Sequence, residues 1–341
     1  MGDFRKRILA FCVLTAAFAP LASAQGNYTA TDLGALSGST WAKAAGINKS
    51  GQIVGTSADH AFLWSNGVMT DLGTLGGSAS SAYAINDLGQ VVGEASTASG
   101  EKHAFVWANG VMTDLGVPGE ASAAHGINSQ GVIVGVASAK NVRGGAVQWV
   151  NGQKQFIGDL GPSGSGSTAI SINDNGQVVG VSSGFASNQG VVRAVTWLNG
   201  VITDLGTLGG LHSTANSVNS GGEVVGWAEI ASGSTVGFQW QSGTMHALSS
   251  LSSAATSSGT GTQALAVNDS GQIVGSSVSS SGGVHAVLWQ NGKITDLNNA
   301  VPKGSGLMFT RATGINKNGQ IVVEQQVADG SSRAFLLAPK H

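Results

Sequence analysis

Six aspartates recur along this chain, each followed by Leu: Asp32, Asp71, Asp114, Asp159, Asp204 and Asp296. Carboxylates at regular spacing could converge on a cation or polarise a water. A carboxylate that returns once per repeat, at one place in a β-strand, is better read as a hydrogen-bond acceptor for a polar partner that folding buries. Ala247 interrupts the series in the fifth copy. Glutamate is rarer, and the repeat does not demand it. Glu94 and Glu324 share one repeat position, and Glu229 lies two residues beyond it. Two such carboxylates could do acid–base work on a glycosidic bond; the plainer reading is solvated strand ends. The strings Asn173-Asp174-Asn175-Gly176 and Asn268-Asp269-Ser270-Gly271 resemble calcium loops. Lys49 and Lys317 replace the Asp in other copies, however, and no Glu closes a loop, so these read as turns. Gly180-Val181-Ser182-Ser183-Gly184 matches a nucleophile elbow by letter only, because no helical pattern follows it. The histidines have no ligand spacing, so neither metal nor cofactor is expected.

The elements that would position these residues come from a sevenfold repeat. Each copy has an Ala, an apolar residue before Asn, then Gly and a β-branched pair. The Asn marks fall at Asn48, Asn86, Asn128, Asn173, Asn219, Asn268 and Asn316, 38 to 49 residues apart. In the first copy, Ala44–Asn48 is a short strand and Asn48-Lys49-Ser50-Gly51 a tight turn. Gln52–Gly55 begins a second strand and His60–Trp64 forms a third. Asn66-Gly67 is a two-residue hairpin signal, and Val68–Gly73 is the fourth strand. Four antiparallel strands in about 45 residues make one blade of a β-propeller; an open β-solenoid is the alternative. The expected fold is all-β, a seven-bladed β-propeller of four-stranded antiparallel blades.

The two ends sharpen this. The seventh copy lacks its fourth strand, while Tyr28–Gly34 is an orphan fourth strand matching Val68–Gly73. Residues 28–34 should therefore complete the blade formed by 308–337 and close the ring, hiding sheet edges that a linear array would expose. His60-Ala61-Phe62, His103-Ala104-Phe105 and the variant His285-Ala286-Val287 carry a resemblance to the HAF-repeat family of probable extracellular repeats. That resemblance implies export and a propeller-like repeat, but no settled activity. In WD-repeat propellers an Asp–His–Trp network ties each blade. Here His60, His103 and His285, with Trp64, Trp107 and Trp289, could join the aspartates in the same way.

In such a ring the first strand of each blade lines the channel, and the Ala present in every copy would suit crowding at the axis. The alternate positions carry what the repeat leaves free. One row reads Lys43, Ser81, Ala123, Thr168, Thr214, Gln263, Arg311; the next reads Ala45, Tyr83, His125, Ile170, Asn216, Leu265, Thr313. Closure makes Lys43 and Arg311 neighbours. With Gln263, and with Tyr83 and His125 in the second row, they form the candidate binding set for an anion or polar sugar. The short uniform turns share one face. The variable connections, such as 56–59, 181–192, 210–214 and 249–262, share the other, where binding usually resides.

Arg5-Lys6-Arg7, the apolar run from Ile8 to Leu21 and Ala22-Ser23-Ala24 read as a signal peptide over residues 1–24. That leaves 25–341 as a single propeller domain, with no membrane span after cleavage and, without Cys12, no cysteine. The net charge of −2 argues against nucleic acid, which needs a basic patch. The expected protein is a secreted, periplasmic or cell-surface monomer. It would bind a glycan, peptide or surface protein through its variable face and channel mouth. A secreted lyase or glycoside hydrolase, or a spacer without a ligand, are the alternatives.

Overall fold

The computed structural model describes residues 27–139, 142–161, 166–185, 188–252, 261–327 and 330–340. The expected signal peptide at 1–24 and residues 253–260 of the Ser-rich stretch lie outside them. The described chain forms seven four-stranded antiparallel sheets. Six run in chain order; blade one, for example, is Ala42–Ile47, Ile53–Ser57, His60–Ser65 and Val68–Asp71. The seventh takes Arg311–Ile315, Ile321–Gln326 and Ser332–Pro339 from one end of the chain and Tyr28–Asp32 from the other. Tyr28 stands opposite Pro339 and Asp32 opposite Phe335. The expected closure is therefore present, and the ring has no open solenoid end.

Each sheet is apolar on both faces because each is sandwiched between two others. Val54 and Ala61 of blade one pack with Ala82, Val91 and Phe105 of blade two. Ala44, Ile53 and Phe62 of blade one pack with Val322, Ala334 and Leu336 of blade seven. Full burial of each larger side chain stabilises by roughly 1.5–3 kcal/mol, so most of the cohesion lies between blades.

All seven inner strands carry a β-bulge at one place, as between Ala44 and Gly46 or Ala312 and Gly314. One extra residue there turns toward the axis and the strand twists more sharply. This corrects the expected place of the repeated Ala. Ala44, Ala82, Ala124, Ala169, Ala215, Ala264 and Ala312 are buried in the inter-blade cores rather than at the axis. In six blades a glycine stands opposite the bulge, and in blade seven Val323 does. A Cβ on Gly93 would lie 1.9 Å from the Ser81 carbonyl oxygen, and Gly55, Gly135, Gly180, Gly226 and Gly275 are in the same position.

The repeated Asn does more than start a turn. Each Oδ1 accepts the backbone N–H four residues on, and each Nδ2 donates to the backbone carbonyl of the next blade's Asn. Those inter-blade bonds span 2.9 to 3.3 Å and run 48→86→128→173→219→268→316→48, an unbroken belt. Asp87, Asp174 and Asp269 add a second layer. Each accepts at 2.9 Å from the backbone N–H of Lys49, Ser129 or Ser220 on the preceding blade, which employs these carboxylates as inter-blade braces.

Candidate binding site at the channel mouth

The inner strands enclose a lumen of about 550 Å³ at one end of the channel and a smaller vestibule of about 280 Å³ at the other. A collar of seven branched aliphatics separates them: Ile47, Ile85, Ile127, Ile172, Val267 and Ile315 border both, and Val218 borders the vestibule. The Asn belt lies beyond it, on the vestibule side. The second row of free positions, Ala45 through Thr313, lines the lumen. Of the first row only Thr168 reaches it; Lys43, Gln263 and Arg311 stand further along their strands, toward the variable face.

Lys43 and Arg311 are exposed on the adjoining blades one and seven, and Gln263 is half-buried on blade six. Arg311 stands directly across from Glu324. Burial pushes the Glu324 carboxyl above its ordinary value, while Arg311, Lys43 and the Ala44 backbone N–H pull it back. The two cations thus share one buried carboxylate. Tyr83 and His125, on blades two and three, meet with ring centroids 5.5 Å apart at 59°. Burial, then the Glu94 charge and a hydrogen bond to Glu94, push the Tyr83 phenol to about 12, so it keeps its proton. Burial lowers the His125 pKa, opposed by its bond to Ala169 O and by Glu94, so the ring is neutral at pH 7. Its Nδ1 lies 3.1 Å from that blade-four carbonyl and must carry the proton, which leaves Nε2 as an acceptor.

Glu94 also pairs with Lys102 at 2.8 Å. Glu94 and Glu324 belong to blades two and seven, with blade one between them, and each has its own cations. They do not form the carboxylate pair weighed from the sequence. Glu229 accepts the backbone N–H groups of Leu211 and His212, both at 3.1 Å. Among the described residues no group of three His, Cys, Asp or Glu could hold a metal ion.

The repeated Asp is structural, with one correction. His60–Asp71, His103–Asp114 and His285–Asp296 pair at 2.7 to 2.9 Å, and Arg193 and Arg333 take the histidine's place beside Asp204 and Asp32. In blade three the partner strand puts Phe156, not Asp159, opposite Val147, as Asp71 lies opposite Phe62. The Asn151-Gly152 turn sets that register, and the Asp-Leu-Gly string falls three residues late. Blade three accordingly has Gly145 at the histidine position, and blade five has Val236 at the histidine position and Ala247 at the aspartate position. Cation and carboxylate are lost together. The tryptophans do not join this network. Trp149, Trp197 and Trp289 donate their indole N–H to the carbonyls of Leu115, Gly158 and Ser249 on the preceding blade's outer end.

Two variable connections are strands rather than loops. Val178–Phe185 and Asn188–Leu198 extend the blade-four hairpin through most of 181–192, and Gly209–Val218 includes 210–214. Their pairing continues past irregularities at Ser183/Phe185 and Gly209/Ser213. Ser182, inside the elbow-like string, sits in that strand and accepts from the Leu160 N–H.

No family model matches the chain, and no curated protein is similar to it in sequence. Solved structures match in fold. The β-propeller domain of the Trilobed protease from Pyrococcus furiosus, an open velcro topology, is 10% identical with a TM-score of 0.53 over 88% of this chain and 94% of that one. The chain is a seven-bladed β-propeller. A puromycin-hydrolyzing peptidase of Mycobacterium tuberculosis is 11% identical (TM-score 0.54, 88% of this chain, 52% of that one). The extracellular domain of BT4673 from B. thetaiotaomicron is also 11% identical (TM-score 0.51, 93% and 40%). The chain thus spans about half of the peptidase and less of the extracellular domain. At these identities the likeness is one of fold alone. No helix among the described residues is long and apolar enough to cross a membrane.

Proposed function

We propose that this propeller is an exported binding module that holds a glycan, peptide or surface protein at the channel mouth on its variable face. One observation carries the reading. Gln263, Arg311, Lys43, Tyr83 and His125 belong to five consecutive blades, six, seven, one, two and three, and the repeat requires none of them. A polar arc at one end of a rigid channel, on positions the fold leaves free, is where a propeller can carry recognition. Export rests on the basic, apolar and small-residue segments before Gln25 and on the HAF-type strings. Residues 25–341 then act as one monomeric domain, in the periplasm or outside the cell. The test is a glycan array with the purified mature chain. Binding that the Lys43→Ala/Arg311→Ala double variant loses is the expected result; binding that survives it removes the arc from the account.

A secreted lyase or glycoside hydrolase has one observation in its favour, the Tyr83 hydroxyl hydrogen-bonded to Glu94 and Ser81 with the neutral His125 ring packed beside the phenol ring. Turnover of a polysaccharide that Glu94→Gln abolishes would replace the binding reading with that one. A chain that neither binds nor turns over is a spacer.

A further inference from the structure

The lumen differs chemically from the mouth above it. No Asp, Glu, Lys or Arg is among the residues that line it, although Lys43, Arg311, Glu94 and Glu324 stand close to its entrance. Its far end is the aliphatic collar. Its wall carries uncharged polar groups: the His125 ring, the Asn216 amide and the hydroxyls of Thr168, Ser171 and Ser217. His125 spends its Nδ1 proton on Ala169 O and offers Nε2. Asn216 gives one of its two Nδ2 protons to Ala264 O at 2.8 Å, which leaves a second N–H to donate and Oδ1 to accept. A wall of uncharged groups without a cation disfavours carboxylate, sulfate and phosphate, whose charge would lose its hydration without a countercharge. It favours a neutral ligand rich in hydroxyls, which both donate and accept. The tilted Tyr83–His125 pair adds a ring surface for an apolar face. A volume of about 550 Å³ holds one or two sugar rings and not a folded peptide.

From this combination we infer that the lumen receives the uncharged terminal ring of a glycan, a neutral hexose, inserted past the mouth with its hydroxyls on His125 and Asn216 and one face toward Tyr83. This rests on the binding reading above and adds to it both a mode of entry and a selectivity. The module caps a chain end instead of gripping an internal stretch, and it prefers neutral sugar to uronate. The mouth cations then contact the rings that follow.

The experiment is calorimetric titration of the mature chain with methyl hexosides and with the corresponding methyl hexuronides, taking the hexose from the strongest array ligand. The expected result is hexoside binding at least about tenfold tighter than the uronide. Leu265→Phe and Ala45→Phe, two independent substitutions that fill the lumen from blades six and one and leave the mouth untouched, should each weaken array binding by a similar factor. Circular dichroism confirms that each is folded, and one folded variant suffices. Uronide binding as tight as hexoside binding overturns the inference. So does array binding unchanged in a folded, lumen-filled variant. If that binding is still lost in Lys43→Ala/Arg311→Ala, the mouth reading stands while the lumen inference falls. An array with no ligand at all ends both.

Discussion

Seven asparagines combine two tasks that few side chains can share. An Oδ1 closes the turn on its own blade, and an Nδ2 reaches the carbonyl of the next. Aspartate could do the first but not the second, and alanine neither. Asn86→Ala removes both and leaves buried backbone groups unpaired, so it should cost about 2–4 kcal/mol in denaturant unfolding. A loss below about 1 kcal/mol would mean that water replaces the belt bond. The turn was legible in the sequence because Asn-x-x-Gly is local. The belt was not, because its partners are 38 to 49 residues apart, or 268 at the closing bond, and meet only once blades stand side by side. Glu324 supplies a residue-scale prediction with a sign. Burial raises its folded pKa above the unfolded value. Its contribution is therefore present below the unfolded pKa, about 4.3, and is lost as pH rises through the folded one. Glu324→Gln escapes that loss. Its melting temperature should match wild type near pH 4 and exceed it at pH 7–8. A variant less stable than wild type at pH 7 would show that the Lys43 and Arg311 attraction outweighs burial.

At the scale of the element, the inner strand decides what reaches the axis. Strict alternation would have put one residue in two toward the channel. The bulge after the repeated Ala adds an extra one and turns the Ala into the inter-blade core. That shift is invisible to periodicity, which sees only apolar and small residues in a row. The candidate residues were found because they depart from the repeat, and five of them fall on one arc. A Glu94–Glu324 pair was only the lesser reading, because equal repeat position says nothing about which blades adjoin, and blade one stands between the two. Asp159 was misassigned because a matching string outweighed the turn that sets register. The glycine opposite the bulge is the sharpest test of this geometry. In Gly93→Ala the new methyl meets the Ser81 carbonyl and the Phe105 ring, so the blade must move. The expected cost is about 2–3 kcal/mol, read by denaturant unfolding. Gly67→Ala is the contrast. There the added Cβ meets nothing within 4 Å, so any loss comes from its φ of +87° alone.

At the scale of the molecule, stability depends on the ring being complete. The segment described has no cysteine, so no disulfide holds it. The closing joint consists of the Tyr28–Asp32 strand, the Leu33 N–H on Ala334 O at 3.0 Å, and the Asn316 side chain on Asn48 O, 268 residues away, at 3.0 Å. Closure also makes blades seven and one neighbours, which brings Lys43 and Arg311 onto one buried carboxylate and gives the proposed mouth its charge. The seven-blade count and the borrowed strand were legible from the orphan segment at one end and the missing strand at the other. Disulfide trapping of that joint is the most direct test. Thr29 pairs with Ala338 across the two strands. Thr29→Cys/Ala338→Cys, in residues 25–341, which hold no other cysteine, should form an intramolecular disulfide in nearly every molecule and raise the melting temperature. Thr29→Cys/Ser332→Cys, at the far end of the same strand, should stay reduced. Free thiols or intermolecular dimers from the first pair would mean that the ring is open, contradicting this account.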